Sequence, residues 1–100
     1  MPDTVLSKTQ TSFYRRLFVA HLIAHDIATV PDIIEATGMP RRTAQDTITA
    51  LAELDIVCRF EHDEGQRHNI GHYAIRDWGP INPQWVADNA SRLQRALGYA

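Results

Sequence analysis

Arg41, Arg42, Thr43 and Gln45 fall within five consecutive positions, and each carries hydrogen-bonding chemistry suited to nucleic acid. An arginine fork matches O6 and N7 of guanine, a glutamine amide matches N6 and N7 of adenine, and a threonine hydroxyl suits a phosphate oxygen. Thr49 lies four residues beyond Gln45 and shares its side if the segment is helical. Asp46 interrupts the set. Its carboxylate repels phosphate unless it accepts from a cytosine amino group or pairs with a neighbouring arginine.

The other reactive side chains form a weaker pattern. His21 and His25 stand at i, i+4, a spacing that lets two imidazoles share one helix face. Cys58, His62, His68 and His72 cluster later in the chain. None of these spacings matches a paired CxxC or other recognised zinc pattern, so neither a metal nor a cofactor is expected. Cys58, next to Val57, reads as a small buried hydrophobe rather than a redox switch. There is no glycine-rich phosphate loop, nucleophile elbow or HExxH, and the carboxylates are scattered, so nothing points to an enzyme.

The periodicity that would position these residues is clear. Phe13, Leu17, Ala20 and Ala24 recur at helical spacing across Lys8 to His25, with Phe18, Leu22 and Ile23 alongside, so a wide face is expected to be buried. Arg15 and Arg16 fall outside that stripe; two readings are open for them, contact with phosphates flanking the site and a solvated face with weak ion pairs, and the second is preferred. Pro31 opens a short second helix that Gly38 ends. A third helix is expected from Pro40 to Leu54, with Ala44, Ile48, Leu51 and Ala52 inward and Arg41, Arg42, Gln45, Asp46 and Thr49 outward. Ile56 to Glu61 is β-type, Asp63-Glu64-Gly65 signals a turn, and a second strand runs from about His68 to Trp78. Gly79-Pro80 stops the hairpin. Asn82 and Pro83 then start a last helix carrying Trp85, Leu93 and Leu97. A short helix, a glycine turn, a helix with a polar outer face and then a hairpin is the order in which one helix braces another for the major groove.

The stretch Ile33-Ile34-Glu35-Ala36-Thr37-Gly38-Met39-Pro40-Arg41-Arg42-Thr43-Ala44, followed by Leu51 and by Ile56-Val57-Cys58-Arg59, resembles the winged helix-turn-helix family of bacterial regulators. The likeness spans roughly residues 10 to 78 and extends to small bacterial proteins described as winged-helix domains. It implies a mainly α fold with a small β-hairpin, and a third helix that reads double-stranded DNA. Arg41, Arg42, Thr43, Gln45 and Thr49 are then the reading residues. Gln66, Arg67, His68 and Asn69 become the wing residues that touch the backbone. Asp46 and the acidic His62-Asp63-Glu64 depart from that pattern and keep a rival reading open, a winged helix that docks on a protein.

With 100 residues, 44% of them hydrophobic and 22% charged, the chain has ordinary globular composition. Two parts are expected: residues 1–80 as the DNA-binding domain and residues 81–100 as a helix that packs back or dimerises. A homodimer is expected, with Trp85, Leu93 and Leu97 at its interface, because two reading helices match two half-sites. Ten Lys and Arg against twelve Asp and Glu give a net charge of −2, so phosphate binding must rest on a local basic face. No apolar run approaches the ~20 residues of a membrane span. Met1 to Gln10 shows no apolar signal segment, and the single cysteine rules out an intrachain disulfide. A cytoplasmic location is therefore expected, and any effector is left open.

Overall fold

The computed structural model describes residues 6–63 and 71–99. Ser7 opens the first helix, α1 (Lys8–Ala24). Its hydroxyl accepts from the Gln10 N–H and the Gln10 side chain accepts from the Ser7 N–H, both at 3.0 Å. This reciprocal box satisfies two donors that a helix start otherwise leaves open. Thr29 caps α2 (Val30–Thr37) by accepting from the Asp32 N–H at 3.2 Å. Next come α3 (Arg41–Ala50) and a single 3-10 turn, Leu51–Leu54. Strands β1 (Val57–His62) and β2 (Gly71–Asp77) form an antiparallel hairpin, with Cys58 opposite Ile75 and Phe60 opposite Tyr73. Asn82 caps the final helix, α4 (Pro83–Ala96), through the N–H groups of Gln84 and Trp85. Four helices and a two-stranded hairpin make the mainly α architecture expected.

α1 is the central post. It packs against α3, α4 and β2, so its middle turn is buried nearly all round, at Leu17, Phe18, Val19, Ala20, Leu22 and Ile23. This corrects the expected stripe at both ends: Phe13 is 36% exposed and Ala24 is also exposed. The wide face expected is buried through the middle of the helix, at Leu17, Phe18, Ala20, Leu22 and Ile23, and Val19 joins it because α1 has three partners. α3 also ends earlier than Leu54. The chain tightens into the 3-10 turn at Leu51, which stays fully buried, while Ala52 turns to solvent. Thr47 enters the core instead, its hydroxyl donating to the Thr43 carbonyl at 2.7 Å. That bond removes the penalty of a buried polar group.

Val86 and Leu93 of α4 are fully buried in the same core as Leu17, Ile33 and Leu51. The Arg92 guanidinium lies over the rings of Tyr14 and Trp85, 5.9 and 5.5 Å from their centres, and clasps α4 to α1. The Tyr73 N–H donates to the Ala28 carbonyl at 2.8 Å, tying the hairpin to the loop between α1 and α2. No described helix is long and apolar enough to cross a membrane.

Candidate nucleic-acid interface

The turn between α2 and α3 sets the angle of α3 and is built by three residues. The Thr37 hydroxyl donates to the Ile33 carbonyl at 2.8 Å and accepts from the Met39 N–H at 3.1 Å. Gly38 stands at φ +78°, a left-handed conformation that costs an L-residue about 1–2 kcal/mol. Its N–H donates to the Ile34 carbonyl at 2.7 Å. Met39 then drops into the core, only 4% exposed. The Thr-Gly-Met triplet thus closes one helix and anchors the start of the next.

α3 leaves that turn with one face inside and one outside. Ala44, Thr47 and Ile48 are buried, whereas Arg41, Arg42, Gln45, Asp46 and Thr49 are exposed and Thr43 is half-buried. The sequence-predicted reading residues are therefore brought together on one helix. Pro40 precedes the helix and supplies no side-chain cap, unlike Ser7, Thr29 and Asn82 at the other three starts. The first N–H groups of α3 keep their hydrogen-bonding capacity beside two arginines, an arrangement that favours an anion. Arg42 sits 3.8 Å from the Asp46 carboxylate, one helical turn on, so the carboxylate expected to oppose phosphate has an arginine beside it. The Thr49 hydroxyl donates back to the Gln45 carbonyl at 3.1 Å, which leaves its methyl group and oxygen lone pairs for a partner.

One wall of this face carries Arg15 and Arg16, for which the sequence left phosphate contact and a solvated face as the two readings. Between α1 and α3 lies a cleft of about 300 Å³, lined among others by Ser12, Arg15, Arg16, Thr43 and Asp46. Arg16 is largely buried and pairs with Glu53 at 3.2 Å. Arg15 is half-buried, and its Nε is shut from solvent without a hydrogen-bond partner among the described residues. Neither arginine is the freely solvated side chain that the helical stripe suggested. Only the packing of α3 across α1 buries them, and no local sequence signal encodes that.

The wing is partly visible. Gln66, Arg67, His68 and Asn69 lie outside the described residues. Along the hairpin, Glu61 and Arg76 form a two-point ion pair, and at the turn end of the strands His72 meets Asp63 at 2.9 Å. The Arg76 guanidinium, through its hydrogen bonds, holds the Glu61 carboxyl below the usual range. Strand alternation puts Cys58, Phe60 and His62 on one face and Glu61 and His72 on the other, so Cys58, His62 and His72 do not converge. Burial pushes the Cys58 thiol up to about 11, the opposite of an activated thiolate. His21 and His25 do stack, ring centres 4.2 Å apart. Among the described residues no group of three or more His, Cys, Asp or Glu could hold a metal.

The residues expected at a dimer interface separate. Leu93 is fully buried and Leu97 is packed against the core, while Trp85 is 41% exposed. Leu93 is engaged inside its own subunit because α4 lies along α1, so it has no surface to present to a second copy. Trp85 borders an apolar groove of about 260 Å³ with Phe13, Leu17, Pro80 and Ile81. Trp78 lies apart from that groove, packed on the core near Ile23 and Tyr73, so the two tryptophans do not line one pocket.

Comparison with known proteins agrees with this geometry. A family model described as a winged helix-turn helix matches residues 8–97, which includes α4. The crystal structure of a DUF2131 family protein from Shewanella amazonensis is similar over 95% of this chain and 91% of that one, at 39% sequence identity and a TM-score of 0.88. None of the curated proteins matches. With the turn, the uncapped third helix and the hairpin all in that order, the chain belongs to the winged helix-turn-helix family.

Proposed function

We propose that the protein is a non-catalytic regulator of transcription that binds double-stranded DNA sequence-selectively. In this reading α3 enters the major groove and the hairpin rests on the backbone. The observation that carries it is the outer face of α3, where Arg41, Arg42, Gln45 and Thr49 are all exposed on a helix with no side-chain cap. Arg41, Arg42 and Gln45 supply base-edge hydrogen bonds, Thr43 a phosphate contact, and Thr49 a methyl for thymine. Gln66, Arg67 and His68 are assigned to the wing contact. The same reading implies a cytoplasmic protein.

A single module buries limited surface on DNA, and the reading therefore includes a homodimer. Its surface is the exposed pair Phe13 and Trp85, together with the edge of Leu97, rather than Leu93. A monodisperse monomer at tens of micromolar in sedimentation would remove this part of the reading. The primary test is selection from a random-sequence DNA library at two salt concentrations. The expected result is enrichment of a palindromic site whose affinity falls steeply as salt rises. The rival reading, docking on a protein, draws on the exposed Phe60 ring of the hairpin. Absence of both enrichment and salt-dependent binding would favour it.

A further inference from the structure

Arg15 is a half-buried cation that meets no anion among the described residues. Its Nε is sealed from water with no acceptor, and no carboxylate among the described residues pairs with it. Its neighbour Arg16 shows what the fold does elsewhere, since it has Glu53 at 3.2 Å. A buried donor left unmade is costly, and a buried charge more so, so such a group in a native fold calls for an explanation.

The Nε itself is out of a ligand's reach, but the Arg15 side chain also lines an open cleft, where the rest of the guanidinium can meet an anion. Arg15 lines it from α1, and Thr43 lines it from α3, beside the exposed row that begins at Arg41. The Ser12 hydroxyl stands on the same wall as Arg15. Asp46 also borders the cleft, but its side chain is 74% exposed and lies toward Arg42. A second hollow that shares Ser12 and Arg16 carries the trough along α1 to Lys8, the only lysine of the chain. A duplex lying on the outer face of α3 brings its sugar-phosphate edge to the mouth of this cleft.

We infer that the α1–α3 cleft seats one backbone phosphate of the bound DNA, held by the Arg15 guanidinium with the Ser12 and Thr43 hydroxyls at its rim. This rests on the DNA-binding reading and extends it from base contacts on α3 to a positioning contact on α1. A phosphate contact fixes register and carries no sequence information.

The test is the salt dependence of binding by wild type, Arg15→Gln and Ser12→Glu, each on the selected site and on random DNA, with a thermal melt of each protein. Arg15→Gln is expected to lower the slope of log affinity against log salt by about 0.9. At 0.1–0.2 M salt it weakens binding roughly four- to eight-fold on both DNAs and leaves the preferred sequence unchanged. Ser12→Glu puts a carboxylate at the cleft mouth with Arg15 intact, and is expected to weaken binding on both DNAs alike. It decides the matter if Arg15→Gln does not fold. Wild-type slope and affinity in the folded variants, with wild type binding steeply, would overturn the cleft inference alone. A wild-type protein that shows no salt-dependent binding would overturn the DNA reading and this inference with it.

Discussion

Arg15-Arg16 on α1 and Arg41-Arg42 on α3 are the same dipeptide on two helices, and the fold treats them in opposite ways. The α1 pair lies against another helix, half-buried, with one member held by Glu53 and the other lining a cleft. The α3 pair stands in solvent at a helix start with no side-chain cap. A constrained guanidinium loses little entropy when it meets an anion but cannot adapt to different base edges, whereas an exposed one can adapt at an entropic cost. If α3 reads DNA as proposed, the contrast gives Arg15 a positioning contact and Arg41-Arg42 the discrimination, while Arg16 holds the fold through Glu53.

The largest effect should come from breaking the second pair. Arg41→Ala and Arg42→Ala are each expected to weaken binding to the selected site by about 1–3 kcal/mol, and at least one should change the preferred base. Their melting temperatures should stay close to wild type, as for exposed substitutions generally. If both variants bind as wild type in a fluorescence titration, the outer face of α3 is not the interface. Arg16→Ala should reverse the pattern. It removes a packed side chain and the Glu53 pair, for a loss of up to about 1 kcal/mol. In a domain of this size that is a fall of about 4–8 °C in a circular dichroism melt. An unchanged melt would dissolve the distinction between the pairs.

Smaller changes sharpen the contrast. Asp46→Asn frees Arg42 and removes a carboxylate from the binding face. It is expected to tighten binding a few-fold at low salt and less at high salt, where screening shortens the reach of charge; equal effects at both would rule out an electrostatic role. At the far end of α1, burial and then the neighbouring His25 hold His21 below its ordinary 6.5. The unfolded chain therefore takes up a proton at His21 more readily than the folded one. The His21 contribution to stability is present above about pH 6.5 and is lost as pH falls below that value. His21→Gln should flatten the fall in melting temperature between pH 7 and pH 5.5, and an identical slope in both proteins would exclude His21 as its source.

Element order was legible because most boundaries carry a local signal: Pro31, Gly38, Asn82 and Pro83 act within one or two residues of themselves, whereas the Ser7 capping box was not read. The outward row of α3 was legible for the same reason, since a helix with one packed side obeys its own periodicity. Three features were not. Phe13 and Ala24 face solvent because the elements packed on α1 cover its middle turns and not these two positions. Ala52 turns outward because the chain drops to about three residues per turn at Leu51, a choice set by packing. The setting of Arg15 depends on where α3 crosses α1, and residues 27 or more positions apart in sequence leave no local trace of that crossing.

The burial of Val86 and Leu93 has a practical corollary for protein engineering. A fragment ending at Pro80 would expose the apolar side of α1 that α4 covers, and should aggregate rather than behave as a minimal binding domain. A tag or reporter fused at the Gly79-Pro80 turn would meet the same difficulty, because Gly79 already approaches the Asp55 backbone so closely that an added Cβ would lie 2.4 Å from its carbonyl oxygen.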